Sequence, residues 1–277
     1  MTDARHAAYL GALGVDVYVR RQPVEADVAA VDAPALPTSR NARTQEHLDV
    51  PTASTPRPRA PVSPAGLPEA PAAPVGAPDC SAYDWDTLRA AVAGCQRCDL
   101  HATRTQTVFG VGNPHARWMF IGEAPGQEED RQGEPFVGRA GQLLNAMIRA
   151  LGMRREDVFI ANVLKCRPPG NRDPRPAEAA ACRAYLERQV ALVNPTLVIA
   201  VGRIAAQSLL ATETPIAKLR NKVHSFGAQG WPLIVTYHPA YLLRSPGEKR
   251  KVWADLLQAR QLCTRLERGR PAVGHVS

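Results

Sequence analysis

From residue 81 onward the apolar positions fall into short unbroken runs separated by amphipathic stretches. The runs lie at 118–121 (WMFI), 158–164 (VFIANVL), 197–201 (LVIAV) and 233–237 (LIVTY). A strand with one wet face would alternate apolar and polar residues. Runs of this kind instead predict strands covered on both faces, as in a parallel sheet. Between them the period lengthens to that of a helix. It predicts helices at about 141–151, from Pro176 onward with Glu178 in the first turn, from Gly202 to near Leu210, and at about 247–268. A shorter amphipathic helix is expected at 85–93, stopped by Gly94. This alternation predicts an α/β fold of three layers, α/β/α, around a central mainly parallel sheet of about four strands.

In such sheets ligands bind outside the carboxyl ends of the strands. The residues expected there are Gly122-Glu123-Ala124-Pro125-Gly126, then Asn162 to Cys166, then Gly202, then His238-Pro239. One rim therefore gathers a carboxylate, an amide, a glycine and an imidazole, an inventory suited to catalysis.

The pattern stops before residue 80. Residues 51–79 are rich in Pro with Ala, Val, Ser and Gly between, a composition that cannot close a core. The expected organisation is a short amphipathic segment at 1–22, a Pro/Ala-rich disordered linker at 23–79, a folded domain at 80–268 and a tail at 269–277. Charge sharpens this division. Of 34 Lys and Arg and 26 Asp and Glu, residues 1–79 hold 7 and 9, which leaves the domain and tail at about +10. A concentrated positive field suits a polyanion. No apolar stretch of about 18 residues is present, so no membrane span is expected, and the first residues lack the apolar core of a secretory leader.

Four of the six cysteines fall as Cys95-x2-Cys98, then Cys166 after 67 residues, then Cys182 after 15 more. In a chain of this size the cysteines argue against a disulfide framework and for metal ligation or simple burial. The spacing alone fits zinc or a [4Fe–4S] cluster equally well. Cys80 and Cys263 have no partner at motif spacing and are expected to be ordinary apolar or terminal residues.

Taken together, the stretches "CxxC" at 95–98, "GEAPGQEED" at 122–130, "EPFVGRAGQLL" at 134–144, "NVLKCRPPGNR" at 162–172 and "HPAYLLR" at 238–244 resemble the family 4 uracil-DNA glycosylases. This is the iron–sulfur branch of its superfamily, and the resemblance covers about residues 93–261. It implies a [4Fe–4S] cluster on Cys95, Cys98, Cys166 and Cys182, and hydrolysis of the N-glycosidic bond of a flipped-out deoxyuridine in DNA, leaving an abasic site for base excision repair. Related first-family enzymes carry an Asp two residues after the leading glycine to orient water, whereas this chain has Ala124. The family 4 pattern offers Glu123 and Glu129 instead. A related subgroup that traps uracil-DNA covalently has a Gln after the leading "GE" and a basic insertion with a reactive His, and neither is present.

The resemblance assigns the rim residues their roles. His238 is expected to donate a hydrogen bond to uracil O2 as the base leaves with negative charge. Asn162 offers a donor and an acceptor matched to the O4 and N3–H edge of uracil and mismatched to cytosine. Phe136 gives a ring for the flipped base to stack on, with Gly122 and Ala124 in the same substrate pocket. Glu123 or Glu129 is expected to position water or offset charge on the sugar. Leu242 or Leu243 is a candidate wedge into the base stack, and Arg244 a phosphate contact. Arg167, Arg172, Arg175, Lys218, Arg220 and Lys222 are further candidates for the DNA backbone.

Two other classes of function fit parts of the pattern. A module that only binds damaged or single-stranded DNA would need the basic face but not Glu123, Asn162 and His238 together. A zinc-stabilised hydrolase or nucleotide-binding protein could use the Gly-rich loop, but no P-loop lysine follows it. The chain is expected to be a monomer in the bacterial cytoplasm, associated with the nucleoid. Separately, residues 4–23 are similar to the N-terminal peptide of the psi subunit of bacterial DNA polymerase III. That resemblance implies docking on a clamp loader or replisome through residues 1–22.

Overall fold

The computed structural model describes residues 79–268. The amphipathic segment at 1–22, the linker up to residue 78 and the tail at 269–277 lie outside the described residues.

The expected strands and helices form with small shifts of their ends. Helix α1 is Trp85–Ala93, capped by the Asp84 carboxylate, which accepts from the Thr87 N–H at 2.8 Å. Strands β2 (Trp118–Gly122), β3 (Phe159–Asn162), β4 (Leu197–Val201) and β6 (Trp231–Thr236) pair in parallel in the order β3-β2-β4-β6. The sheet has six strands instead of about four. Val111–Gly112 (β1) and Val223–Phe226 (β5) add to its two edges, both antiparallel. Both lacked a sequence signal because β1 has two residues and β5 is mostly exposed.

The unbroken apolar runs have the expected cause, since residues facing both ways are buried. Met119, Ile121, Val198, Ala200, Leu233 and Val235 join one core, beneath α4 (Pro176–Val193) and α5 (Arg203–Leu210). Trp118, Phe120, Ile160, Leu197, Ile199 and Ile234 join the other, beneath α3 (Arg139–Ala150) and α8 (Lys249–Arg268). Short helices α2 (Gln127–Gln132), α6 (Ile216–Leu219) and α7 (Pro239–Arg244) fill the connections. Among the described residues no helix is long and apolar enough to cross a membrane.

Candidate active site

The carboxyl ends of the four parallel strands open into a cavity of about 920 Å³, lined among others by Glu123, Ala124, Phe136, Asn162, His238 and Arg244. Gly122 ends β2 and pairs in register with Asn162 at the end of β3. A Cβ on Gly122 would stand 2.5 Å from both Asn162 Oδ1 and Phe136 Cζ. The missing side chain is what lets the amide and the aromatic ring converge.

Asn162 is 2 % exposed, and its Oδ1 is buried with no hydrogen-bond partner among the described residues. A buried acceptor left unpaired is costly unless a ligand completes it. From below, the Lys165 ammonium donates to the Asn162 carbonyl at 2.8 Å and to Gln189 Oε1 at 2.6 Å, while the Gln189 amide donates to the Phe109 carbonyl at 2.9 Å. Burial lowers Lys165 to about 8. The support from Lys165 and Gln189 was not foreseen, although a lysine inside the apolar run "NVLKC" was a visible signal.

His238 follows β6 at the start of α7, where its Nδ1 accepts the Ala240 N–H at 3.1 Å. Burial pushes its pKa down to about 4, with Arg244 acting in the same direction. The ring is therefore neutral near pH 7 and carries its proton on Nε2. It stacks near Phe136, with centroids 5.6 Å apart and planes at 29°. Phe136 holds a left-handed backbone (φ 54), and Gly141 packs so closely that a Cβ there would lie 1.9 Å from the Phe136 carbonyl oxygen.

The two glutamates differ in surroundings. Glu123 lines the cavity, and burial, then the nearby Asp173, raises its pKa to about 7 against the opposing pull of Arg203. Arg203 is itself paired with Asp173 at 2.6 Å. Glu129 also borders the cavity, but both its oxygens are committed. Oε2 accepts from Gly126 N–H at 3.1 Å, and Oε1 accepts from Val137 at 3.0 Å and Gly138 at 3.1 Å. It ties the two arms of the 122–141 loop together.

The structure corrects the expected wedge at Leu242. That residue is 1 % exposed and packs in the core, because the turn of α7 points it inward, whereas Leu243 is 39 % exposed. Arg220 is also withdrawn from the candidate backbone contacts, since it is 6 % exposed and paired with Asp255. Arg172 is engaged by Glu178 at 2.6 Å.

Cys95 and Cys98 follow α1, Cys166 follows β3, and Cys182 lies on α4. All four are free thiols, Cys166 and Cys182 buried and the other two half-buried. Burial raises Cys166, with Cys98 and Cys95 near enough to add to the shift, and it raises Cys182 to about 12, with Cys166 and Cys98 adding. Arg104 donates to Cys166 Sγ at 3.1 Å and to the Cys95 carbonyl at 2.8 Å. Among the described residues no group of three or more side chains is closed up as a metal site. As a donor set, four thiols suit a thiophilic centre.

Residues 109–257 match the family model described as the uracil DNA glycosylase superfamily. The chain is 45 % identical over 184 residues to a type-4 uracil-DNA glycosylase of Archaeoglobus fulgidus, covering 64 % of this chain and 92 % of that one. It is 45 % identical over 173 residues to a type-4 enzyme of Thermotoga maritima, covering 61 % and 89 %. A type-5 uracil-DNA glycosylase of Thermus thermophilus is 33 % identical over 153 residues, covering 47 % and 68 %. The chain belongs to the uracil-DNA glycosylase superfamily, within its type-4 branch.

Proposed function

We propose that this uracil-DNA glycosylase takes a uracil flipped out of DNA into the cavity at the strand ends and hydrolyses its bond to the deoxyribose. The C1′–N1 bond breaks with its electron pair leaving on the base, and a water oxygen bonds to C1′. The abasic site that remains starts base excision repair on nucleoid DNA. The observation that carries this reading is the meeting of Phe136 with a neutral His238 and with the unpartnered Asn162 Oδ1 at the side-chain-free Gly122.

In this reading the uracil stacks on Phe136, Asn162 reads its O4 and N3–H edge, and His238 Nε2–H meets O2 as negative charge develops. A donor already aimed at that charge lowers the barrier without reorganisation. Glu123 accepts the proton of the attacking water, a task that suits a carboxyl near pH 7. Glu129 acts as the brace of the loop that carries Glu123. Leu243 and Arg244 meet the DNA, the first at the vacated stack and the second at a phosphate. Cys95, Cys98, Cys166 and Cys182 would hold the [4Fe–4S] cluster. Bound there, the cluster would tie the loop after α1 to the end of β3 and to α4, a structural cross-link.

The basic domain supports a DNA partner. For residues 1–22, which lie outside the described residues, the proposal is docking on the clamp loader. Binding of clamp-loader complex by the full chain and not by residues 80–277 is expected, and equal binding by both would remove it. The function itself is tested with labelled oligonucleotides. Free uracil should be released from a strand containing one deoxyuridine, and no base from the same strand with deoxycytidine. Binding without release would reduce the protein to a DNA-binding module.

A further inference from the structure

Thr236 is fully buried at the end of β6, two residues before His238, and its hydroxyl donates to Asp255 Oδ2 at 2.7 Å. Asp255, on α8, also accepts Arg220 Nε and Nη2, each at 2.8 Å. Arg220 Nη2 reaches the Lys251 carbonyl at 2.8 Å as well. The same guanidinium lies over the ring of Tyr237, 4.3 Å from its centroid. Tyr237 packs on Tyr241 with centroids 5.1 Å apart, and both line the cavity. On the backbone side, the Thr236 carbonyl accepts the Gly202 N–H at 2.8 Å, and a Cβ on Gly202 would press to 2.9 Å from His238 Cβ.

A buried ion pair is weak evidence of added stability, because apolar residues of the same volume often do as well. What this pair does have is a grip on each of the two side chains that lead into His238. One oxygen of Asp255 takes the Thr236 hydroxyl, and the cation of Arg220 takes the face of Tyr237. A hydrogen bond that must meet a developing charge tolerates little displacement, and a shift of about 1 Å can cost on the order of 10²-fold in rate.

We infer that the Asp255–Arg220 pair is a positioning device for His238, acting through Thr236 and Tyr237 to set where the imidazole Nε2–H points. This rests on the reading of His238 as donor to the departing uracil. Neither member of the pair lines the cavity. They fix the end of β6 against α8, so the catalytic turn is placed by a polar contact with strict geometry.

The gentlest probe is Thr236→Val, which keeps the shape and leaves Asp255 both of its bonds from Arg220. On deoxyuridine DNA, kcat should fall about tenfold with KM within about twofold, and Thr236→Ser should restore it. With 5-fluorouracil as the base, whose fluorine makes the departing anion less basic, the loss should shrink to about twofold, since less help from His238 is needed. In a His238→Ala background Thr236→Val should cost nothing further. Asp255→Asn is expected to give the same pattern and serves if the valine variant does not fold. Equal losses on both bases, or a full additional loss in the His238→Ala background, would overturn the inference. A His238→Ala enzyme as fast as wild type would overturn the donor role itself, and that result is read without any change at Thr236.

Discussion

The backbone N–H of Ala240 donates to Nδ1 of His238 at 3.1 Å, and this bond decides which nitrogen of the imidazole carries the proton. With Nδ1 occupied as an acceptor and the ring buried, the neutral form with Nε2–H is the one presented to the cavity. Below its ordinary value near 6.5 the unfolded chain takes a proton that the native ring refuses down to about 4. His238 therefore costs stability as pH falls from 6.5 toward 4 and costs none above 6.5.

The acid limb of activity should come from Glu123 instead. Its carboxyl is half ionised near pH 7, so uracil release should rise through a limb near pH 7 and level off above it. Glu123→Gln should slow release by about 10²-fold or more and abolish the limb. The sign for stability is opposite to activity. The native carboxyl holds its proton up to about 7, so it favours folding below 4.5 and loses that contribution as pH rises through 7. Glu123→Gln should thus raise Tm at pH 8 and leave it nearly unchanged at pH 4. A limb of the same midpoint in the variant would remove Glu123 as the base.

Gly122→Ala tests the convergence of Asn162 and Phe136. The added methyl would meet Asn162 Oδ1 and Phe136 Cζ at 2.5 Å, so one of them must move. Single-turnover release should fall by about 10²-fold, comparable with loss of one aligned donor, while circular dichroism stays native.

Leu242 and Leu243 should separate cleanly. Truncating the core residue, Leu242→Ala, is expected to cost roughly 2–5 kcal/mol of stability. Leu243→Ala should leave Tm unchanged and slow release from duplex DNA by about tenfold, with little effect on single strands, where no stack has to be opened. Equal effects of Leu243→Ala on both substrates would remove it as a wedge.

Cys166→Ser should lose bound iron, visible absorption and several degrees of Tm together, and Cys263→Ser none of these. Cys263 lies on α8, and its thiol faces Glu267 at 3.0 Å, away from the other four. Equal iron content in wild type and Cys166→Ser would contradict the ligand set.

Periodicity alone located the four parallel strands, because burial on both faces writes itself as an unbroken apolar run. Edge strands carry no such signature, and Val223–Phe226 went unseen for that reason. The rim residues were legible because each stands at a strand end: Glu123, Asn162 and His238 follow directly from where β2, β3 and β6 stop. Orientation within a short helix was not legible, which is why Leu242 looked as available as Leu243. Support from a distance was hidden too. The bonds from Lys165 to Gln189 and from Thr236 to Asp255 join positions 24 and 19 residues apart, and only the packed fold brings them together.

His238 and Asn162 are proposed to stabilise the departing uracil together in one preorganised pocket. The most direct measurement is single-turnover uracil release by His238→Ala and Asn162→Ala, with oligonucleotide binding and circular dichroism measured on the same preparations. Each variant should fold and bind DNA while releasing uracil about 10²–10³-fold more slowly than wild type. Release at the wild-type rate by either folded variant would remove that residue from the stabilisation of the leaving base.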